Sequence, residues 1–172
     1  MILRQAHPDD APAICGIWNA VIRDTLVTFT SAEKTQAEIA ADILSRGPGF
    51  QVAEWDDQII GFATYFPFRG GVGYAHTKEH TIQLSPKARG LGLGRSLMQK
   101  LEQAAINEQV HSLWAGVSSA NPAGVTFHRR IGFSEIARLP EVGRKNGQWL
   151  DLTLMQKILR PQTTADTSAQ PR

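Results

Sequence analysis

One cysteine, Cys15, stands in a chain of 172 residues, so no internal disulfide framework is possible and a reducing compartment is expected. No apolar run approaches the ~20 residues that a membrane-spanning helix needs. The start, Met1-Ile2-Leu3-Arg4-Gln5, lacks the basic opening and apolar stretch of a signal peptide, and a cytoplasmic location with no membrane partner is the expectation. A dominant charge is missing too. Lys and Arg number 18 and Asp and Glu 16, which leaves a formal net charge of +2 and no dense basic stripe to attract nucleic acid. Internal repeats are absent. What is present is a globular composition, 42% apolar and 20% charged, on a length that suits one core. Only residues 160–172 break it, being rich in Pro, Thr, Ser, Ala and Gln without apolar periodicity. We expect a domain over 1–159 and a mobile, dispensable tail after it.

Periodicity and punctuation divide the domain. Residues 1–5 suit a short strand. Residues 8–22 suit a helix with Ile14, Ile17, Trp18 and Val21 on one face, and 35–45 suit a second helix that stops at Gly47-Pro48. Strands are expected over 50–54 and 59–66, joined as a hairpin at Asp56-Asp57. After Gly70-Gly71-Val72-Gly73 an extended stretch covers 74–84 and is stopped by Pro86. Residues 92–108 carry the clearest helical stripe, Leu93, Leu97, Leu101, Ala104 and Ala105. A buried strand follows at 113–117. Asn121-Pro122 then opens a helix, since Asn accepts an orphan N–H and Pro has none to leave unpaired, and Gly132 closes it. Strands at 133–138 and 149–156 end the domain, the second preceded by an Asn146-Gly147 turn. The order β-α-α-β-β-β-α-β-α-β-β predicts an α/β domain, a mixed and mostly antiparallel sheet with helices on both faces.

The most informative segment is Leu84-Ser85-Pro86-Lys87-Ala88-Arg89-Gly90-Leu91-Gly92-Leu93-Gly94-Arg95. A strand ends, a glycine-rich turn follows and a helix begins. Glycines let a ligand approach the backbone, and the N–H groups at a helix start form an anion site. Lys87, Arg89 and Arg95 add positive charge, so a pyrophosphate is the preferred ligand. A nucleotide-hydrolysing loop would need Lys then Ser or Thr after its last glycine, whereas Arg95-Ser96 follow Gly94. A dinucleotide fingerprint would need a glycine or alanine where Arg95 stands, and an acidic residue within 112–117, which has none.

The pattern that is present, Arg89-x-x-Gly92-x-Gly94, resembles the coenzyme-A loop of the GNAT superfamily of N-acetyltransferases. The resemblance covers about 3–159. It narrows to the phosphinothricin and methionine sulfoximine acetyltransferase branch through three further segments, Tyr74-Ala75-His76-Thr77-Lys78-Glu79-His80-Thr81, residues 121–133, and Glu141-Val142-Gly143-Arg144-Lys145-Asn146-Gly147-Gln148-Trp149-Leu150-Asp151. Gln83 departs from it, standing where relatives carry an aromatic residue. The resemblance implies the GNAT fold, acetyl-CoA as co-substrate with no metal, and direct transfer of acetyl to the α-amine of a small amino-acid-like substrate such as L-phosphinothricin or L-methionine sulfoximine. Glu79 matches the branch's catalytic glutamate, and His128, before Gly132-Phe133, would act as acid towards the thiolate or as a second base, or else be a structural histidine of the helix surface or core. The coenzyme would be held by the backbone of Ile82, Gln83 and Leu84, by Arg89, Gly90, Leu91, Gly92, Leu93, Gly94 and Arg95, and by Asn121. A valine at Gly94 would block the approach to the pyrophosphate while leaving the melting midpoint of the apo protein within a few degrees. Phe29, Val72, Gly73, Tyr74 and Ile82 are the candidates for the amine pocket. A homodimer is implied, with Trp149 as anchor or packed in its own core, and with Arg144 or Lys145 reaching a partner's pocket.

Three other readings compete. His76-Thr77-Lys78-Glu79-His80 matches an inverted zinc-protease motif, which needs a helix. The β-branched Thr77, Thr81 and Ile82 favour a strand, on which Glu79 faces away from His76 and His80. Cys15 as an acyl carrier is disfavoured by its place beside Ile14 in an amphipathic helix. A non-catalytic acyl-CoA sensor on the same fold would keep the glycine loop and lose the acid-base pair, and both Glu79 and His128 are present.

Overall fold

A computed structural model describes residues 1–88 and 90–160. Seven strands form one sheet: β1 (Ile2–Gln5), β2 (Phe50–Trp55), β3 (Gln58–Pro67), β4 (Thr77–Leu84), β5 (Ser112–Ser118), β6 (Ser134–Lys145) and β7 (Gln148–Ile158). Among the described residues four α-helices accompany them, α1 (Ala11–Asp24), α2 (Gln36–Arg46), α3 (Leu93–Asn107) and α4 (Pro122–Arg130). The strand order is β1-β2-β3-β4-β5-β7-β6. All neighbours are antiparallel except β4 and β5. This is the mixed sheet that the element order predicts.

Alternation along the strands divides two cores. Phe50, Val52 and Phe62 face α1 and α2, where they meet Ala11, Ile14, Ile39 and Ile43. Ala53, Ala63 and Tyr65 face the other way, onto Leu93, Leu97, Met98, Leu101 and Ala105 of α3, a core that Leu113, Ala115, Val117 and Phe133 extend. Helices therefore cover both faces. Their ends are fixed locally. Thr35 and Glu38 form a capping box at α2, and the Asn121 side chain accepts from the Gly124 N–H at the start of α4. Both hairpin turns have the left-handed pairs that tight two-residue loops require, Asp56-Asp57 (φ 48° and 58°) and Asn146-Gly147 (φ 50° and 77°).

Three boundaries differ from expectation. The first helix starts at Ala11, because Pro8–Asp10 make a separate 3₁₀ turn capped by His7. The stretch expected from residue 74 begins as strand only at Thr77, since Val72–Tyr74 form another 3₁₀ turn. The expected strand 133–138 continues to Lys145. A register shift between Leu139 and Gly143, with Glu141 at φ 51°, breaks its alternation and hides the continuation. Pro140 is tolerated there because β6 is an edge strand. The expected tail lies, from residue 161, outside the described residues.

The parallel pair sets the position of the site. β4 and β5 are paired only at Thr77–Ser112, Lys78–Leu113 and Glu79–Trp114. Beyond these, β4 runs on to Leu84 and β5 to Ser118 without pairing, so the sheet opens into a seam at its centre.

Candidate active site

A cavity of about 540 Å³ occupies the seam. Because side chains alternate along β4, the strand serves both sides of it. Glu79 and Thr81 belong to the α1/α2 side, and His80 and Ile82 to the α3/α4 side.

On the α1/α2 side the wall consists of Trp18, Phe29, Thr30, Lys34, Arg46, Phe66 and Glu79. Burial raises the Glu79 carboxyl above the ordinary carboxylate range, which moves a proton acceptor towards neutral pH. Among the described residues no cation pairs with it. Its space comes from β5. A Cβ at Gly116 would sit 3.0 Å from Glu79 Oε1 and 3.3 Å from Leu152 Cδ1. The loop between α1 and α2 closes this side and is pinned from below. The buried Lys145 ammonium donates to Ile22 O (2.6 Å) and Thr28 O (3.0 Å), and Ser118 Oγ donates to Leu26 O (2.8 Å). Phe29 lies directly on Gly143.

On the α3/α4 side, His128 stands between Phe127 and Phe133 and is 7% exposed. Its Nδ1 faces Gly124 O at 2.7 Å, and its Nε2 meets Nε2 of His80 at 3.0 Å. His80 Nδ1 in turn faces Trp114 O at 2.8 Å. Burial pushes both imidazoles below the ordinary histidine range, His80 to about 3, and their mutual repulsion adds to the effect on His80. Both ring nitrogens of His128 thus have protein partners.

The glycine turn feeds α3 as expected. Gly90 (φ 77°) and Gly92 (φ 68°) are left-handed, and neither has an atom within 4 Å of where a Cβ would be. At the start of α3 the Arg95 and Ser96 amides already donate to Gly92 O (3.2 and 3.4 Å), which leaves those of Leu93 and Gly94 to join the open glycine backbone in an anion cradle. Gly94 does something else. It is buried, and a Cβ there would lie 3.1 Å from the Phe127 ring and 3.4 Å from Leu84, so its smallness lets α4 pack against α3. A side chain at 94 would therefore press on the contact between α3 and α4 as well as on the turn. Arg95 donates to Arg130 O at 3.1 Å and Lys87 to Gln58 Oε1 at 3.0 Å, so both cations have polar partners in the fold. Arg89 lies outside the described residues.

The structure thus gathers Phe29, Glu79, Ile82, Gln83, Asn121 and His128 around one cavity. It does not bring Val72, Gly73 or Tyr74 to the cavity; they sit on an exposed 3₁₀ turn, Val72 being 96% exposed. Nor is Lys145 available to a partner's pocket, since it is buried beneath its own loop. Trp149 is 57% exposed under the Arg144 guanidinium and not in its own core. The zinc motif is not a helix, being strand from Thr77 onwards with His76 in the turn before it, and among the described residues no three His, Cys, Asp or Glu side chains gather to hold a metal. Cys15 is a buried helix residue whose thiol donates to Lys34 O.

Sequence reasoning missed His80, Gly116, Gly143, Lys34 and Arg46. Alternation already put His80 on the face opposite Glu79, but nothing local pairs it with His128. The others are set by long-range contacts that leave no local pattern.

Comparison with known proteins decides the family. Residues 17–133 match the acetyltransferase (GNAT) family model. The chain belongs to the GNAT acetyltransferase family. It is an N-acetyltransferase with the mixed α/β fold of that family, close to the methionine sulfoximine and phosphinothricin acetyltransferases. It is 33% identical over 167 residues to the L-methionine sulfoximine/L-methionine sulfone acetyltransferase of Pseudomonas aeruginosa, covering 95% of this chain and 97% of that one. The crystal structure of a phosphinothricin acetyltransferase from Sinorhizobium meliloti in complex with acetyl-CoA superposes with a TM-score of 0.86 at 29% identity, over 98% of this chain and 93% of that one. A ribosomal-protein-alanine N-acetyltransferase from Brucella melitensis superposes with a TM-score of 0.87 at 36% identity, over 92% of this chain and all (100%) of the other. No helix among the described residues is long and apolar enough to cross a membrane.

Proposed function

We propose that this GNAT enzyme transfers acetyl from acetyl-CoA to the α-amine of a small amino-acid-like substrate, of the methionine sulfoximine or phosphinothricin type, in a ternary complex. The observation that carries the reading is the seam, one cavity where β4 and β5 part, with Glu79 on its α1/α2 side and Ile82, Asn121 and His128 on its α3/α4 side. Its parts suit the coenzyme. The left-handed, open Gly90 and Gly92 and the start of α3 offer N–H groups to a pyrophosphate. The β5-facing edge of Ile82–Leu84 has no strand beside it, so its backbone is available to an amide-rich arm. The Asn121 side chain lines the same cavity while capping α4. Bound there, acetyl-CoA would supply the activated acetyl thioester.

The chain's own residues do the rest. Glu79 accepts the proton of the substrate ammonium, directly or through water, and its raised carboxyl makes that transfer less uphill near neutral pH. Trp18, Phe29 and Phe66 exclude water from the amine. His128 closes the cavity beside Asn121, its ring held by Gly124 O and by the flanking Phe127 and Phe133. The wall carries two cations, Lys34 and Arg46, and Glu79 as its only carboxylate among the described residues, which suits an anionic amino acid better than a polyamine. A homodimer formed at the β6–β7 edge fits the exposed Ile136, Val142 and Trp149. Sedimentation at micromolar concentration should give twice the chain mass.

The test of the substrate is kcat/KM for methionine sulfoximine, phosphinothricin, spermidine and a short peptide under one set of conditions. The amino-acid analogues should lead. A tenfold advantage for spermidine or the peptide over both would reject the assignment.

A further inference from the structure

We propose that Lys34 is the residue that recognises the acceptor's carboxylate, held in place for that purpose by Asn19. The proposal deepens the amino-acid reading above and rests on it.

Both cations of the amine pocket must be weighed. Arg46 is already engaged, its Nη2 2.7 Å from Asp42 Oδ2 and its Nη1 donating to Thr64 Oγ1 at 3.2 Å, with its guanidinium over Phe50 and Phe66. Lys34 is different. No carboxylate pairs with its ammonium among the described residues, although three acidic side chains lie close in sequence. Glu33 is drawn to Arg23 (3.3 Å). Glu38 accepts from Thr35 N (2.8 Å) and Thr35 Oγ1 (3.0 Å). Asp42 belongs to Arg46.

The position of Lys34 is also built. Asn19 Oδ1 accepts from Lys34 N at 2.8 Å, and Asn19 Nδ2 donates to Lys34 O at 2.9 Å, so one amide side chain clamps the residue on both sides. The Cys15 thiol donates to the same carbonyl at 3.0 Å. The adjoining Trp18 presents its ring to the ammonium, Nζ lying 5.4 Å from the centroid. A cation over an aromatic face keeps its N–H groups for a further acceptor while its stem is held. One helix, α1, thus holds the Lys34 backbone through Cys15 and Asn19 and its ammonium through Trp18.

Charge complementarity names the ligand. An α-amino acid carries its ammonium and carboxylate on one carbon, and Glu79 and Lys34 line one side of one cavity. The negative group receives the ammonium and the free cation receives the carboxylate. A hydrogen-bonded ion pair of this kind is worth roughly tenfold or more in affinity.

The experiment compares methionine sulfoximine with the primary amine that has the same sulfoximine side chain and no carboxylate, using the wild type, Lys34→Gln, Lys34→Arg and Asn19→Ala. The wild type should prefer the acid by about tenfold or more in kcat/KM. Lys34→Gln should remove most of that preference through KM, Lys34→Arg should restore it, and Asn19→Ala should weaken it by several-fold. If Lys34→Gln lowers both substrates equally or leaves the preference intact, Lys34 does not read the carboxylate, and the amino-acid reading survives. If the wild type shows no preference for the acid, or acetylates neither compound while accepting spermidine or a peptide, the substrate reading fails and the Lys34 assignment with it.

Discussion

His80 and His128 face each other Nε2 to Nε2 at 3.0 Å, while both Nδ1 atoms already point at backbone carbonyls. A neutral imidazole carries one N–H. With both on Nδ1, two lone pairs meet at the contact, and the gap between the rings has room for one proton. Burial opposes the charge that this proton would bring, and it holds both groups below the ordinary histidine range. The folded values lie below the unfolded value, so the unfolded chain binds more protons on acidification. The pair's contribution to stability is therefore complete above about pH 6.5 and is lost as pH falls from there towards the folded values. Each group gives a slope of at most about 1.4 kcal/mol per pH unit. Glu79 works with the opposite sign above its ordinary range, so the comparison belongs in a Glu79→Gln background. Melting between pH 7 and 5 should be steeper with the pair than in His80→Phe. Equal slopes would mean that the pair is not held neutral.

Glu79 and Gly116 form one unit, in that a carboxylate needs the space a missing side chain leaves. Glu79→Gln should lower kcat by about 10²-fold or more, the usual worth of a positioned base, with little change in acetyl-CoA affinity. Gly116→Ala keeps the base but pushes against Oε1, and should lower kcat by about tenfold or more. In the wild type kcat/KM should rise with pH through a value above the ordinary carboxylate range, because that carboxyl is raised. Near-normal turnover by Glu79→Gln at every pH would reduce the residue to a structural carboxylate.

Much of this was legible in the sequence where the information is local. The stripe of α3, the Asn121 cap and the two hairpin turns depend on neighbours within a few residues, and each lies where its pattern puts it. The seam was not legible. Nothing in residues 77–84 states that β5 leaves after Glu79, because that divergence is a property of two strands far apart in the chain. For the same reason Gly143 showed only as part of a motif. Its purpose, a seat for Phe29, involves a residue more than a hundred positions away. The turn at Val72–Tyr74 misled for a different reason: flexible glycines beside a phenol suggest a pocket, but no apolar contact anchors them over the cavity.

The glycines of the coenzyme turn separate binding from stability. Gly92 is left-handed with open space around it, so Gly92→Ala should cost about 1–2 kcal/mol through backbone strain and weaken acetyl-CoA several-fold. Gly94→Val gains a few tenths of a kcal/mol in helix propensity and loses about 1–3 kcal/mol by overpacking against Phe127 and Leu84. Overpacking wins, and its melting temperature should fall by roughly 2–10 °C. Calorimetric affinity and apo melting curves decide between the two. A Gly94→Val protein as stable as the wild type would refute the packing role.

The acceptor loop rests on two residues of β6, and they can be tested apart from the chemistry. A Cβ at Gly143 would collide with the Phe29 ring, so Gly143→Ala must lift Phe29 off the strand. Lys145 acts from beneath, its buried ammonium donating to Ile22 O near the end of α1 and to Thr28 O in the loop. That position also places a cation at the negative end of the α1 dipole. Lys145→Met preserves the apolar stem and leaves both carbonyls without their donor, at a cost of about 2–4 kcal/mol. Each substitution loosens the wall that holds the amine, whereas the coenzyme turn lies across the sheet on α3. Acceptor KM should therefore rise about fivefold or more in both variants while acetyl-CoA Kd stays within twofold. Should the two ligands weaken equally, the loop would be a general stability element. If neither weakens while Lys145→Met still melts several degrees lower, the loop supports the fold but does not shape the amine pocket.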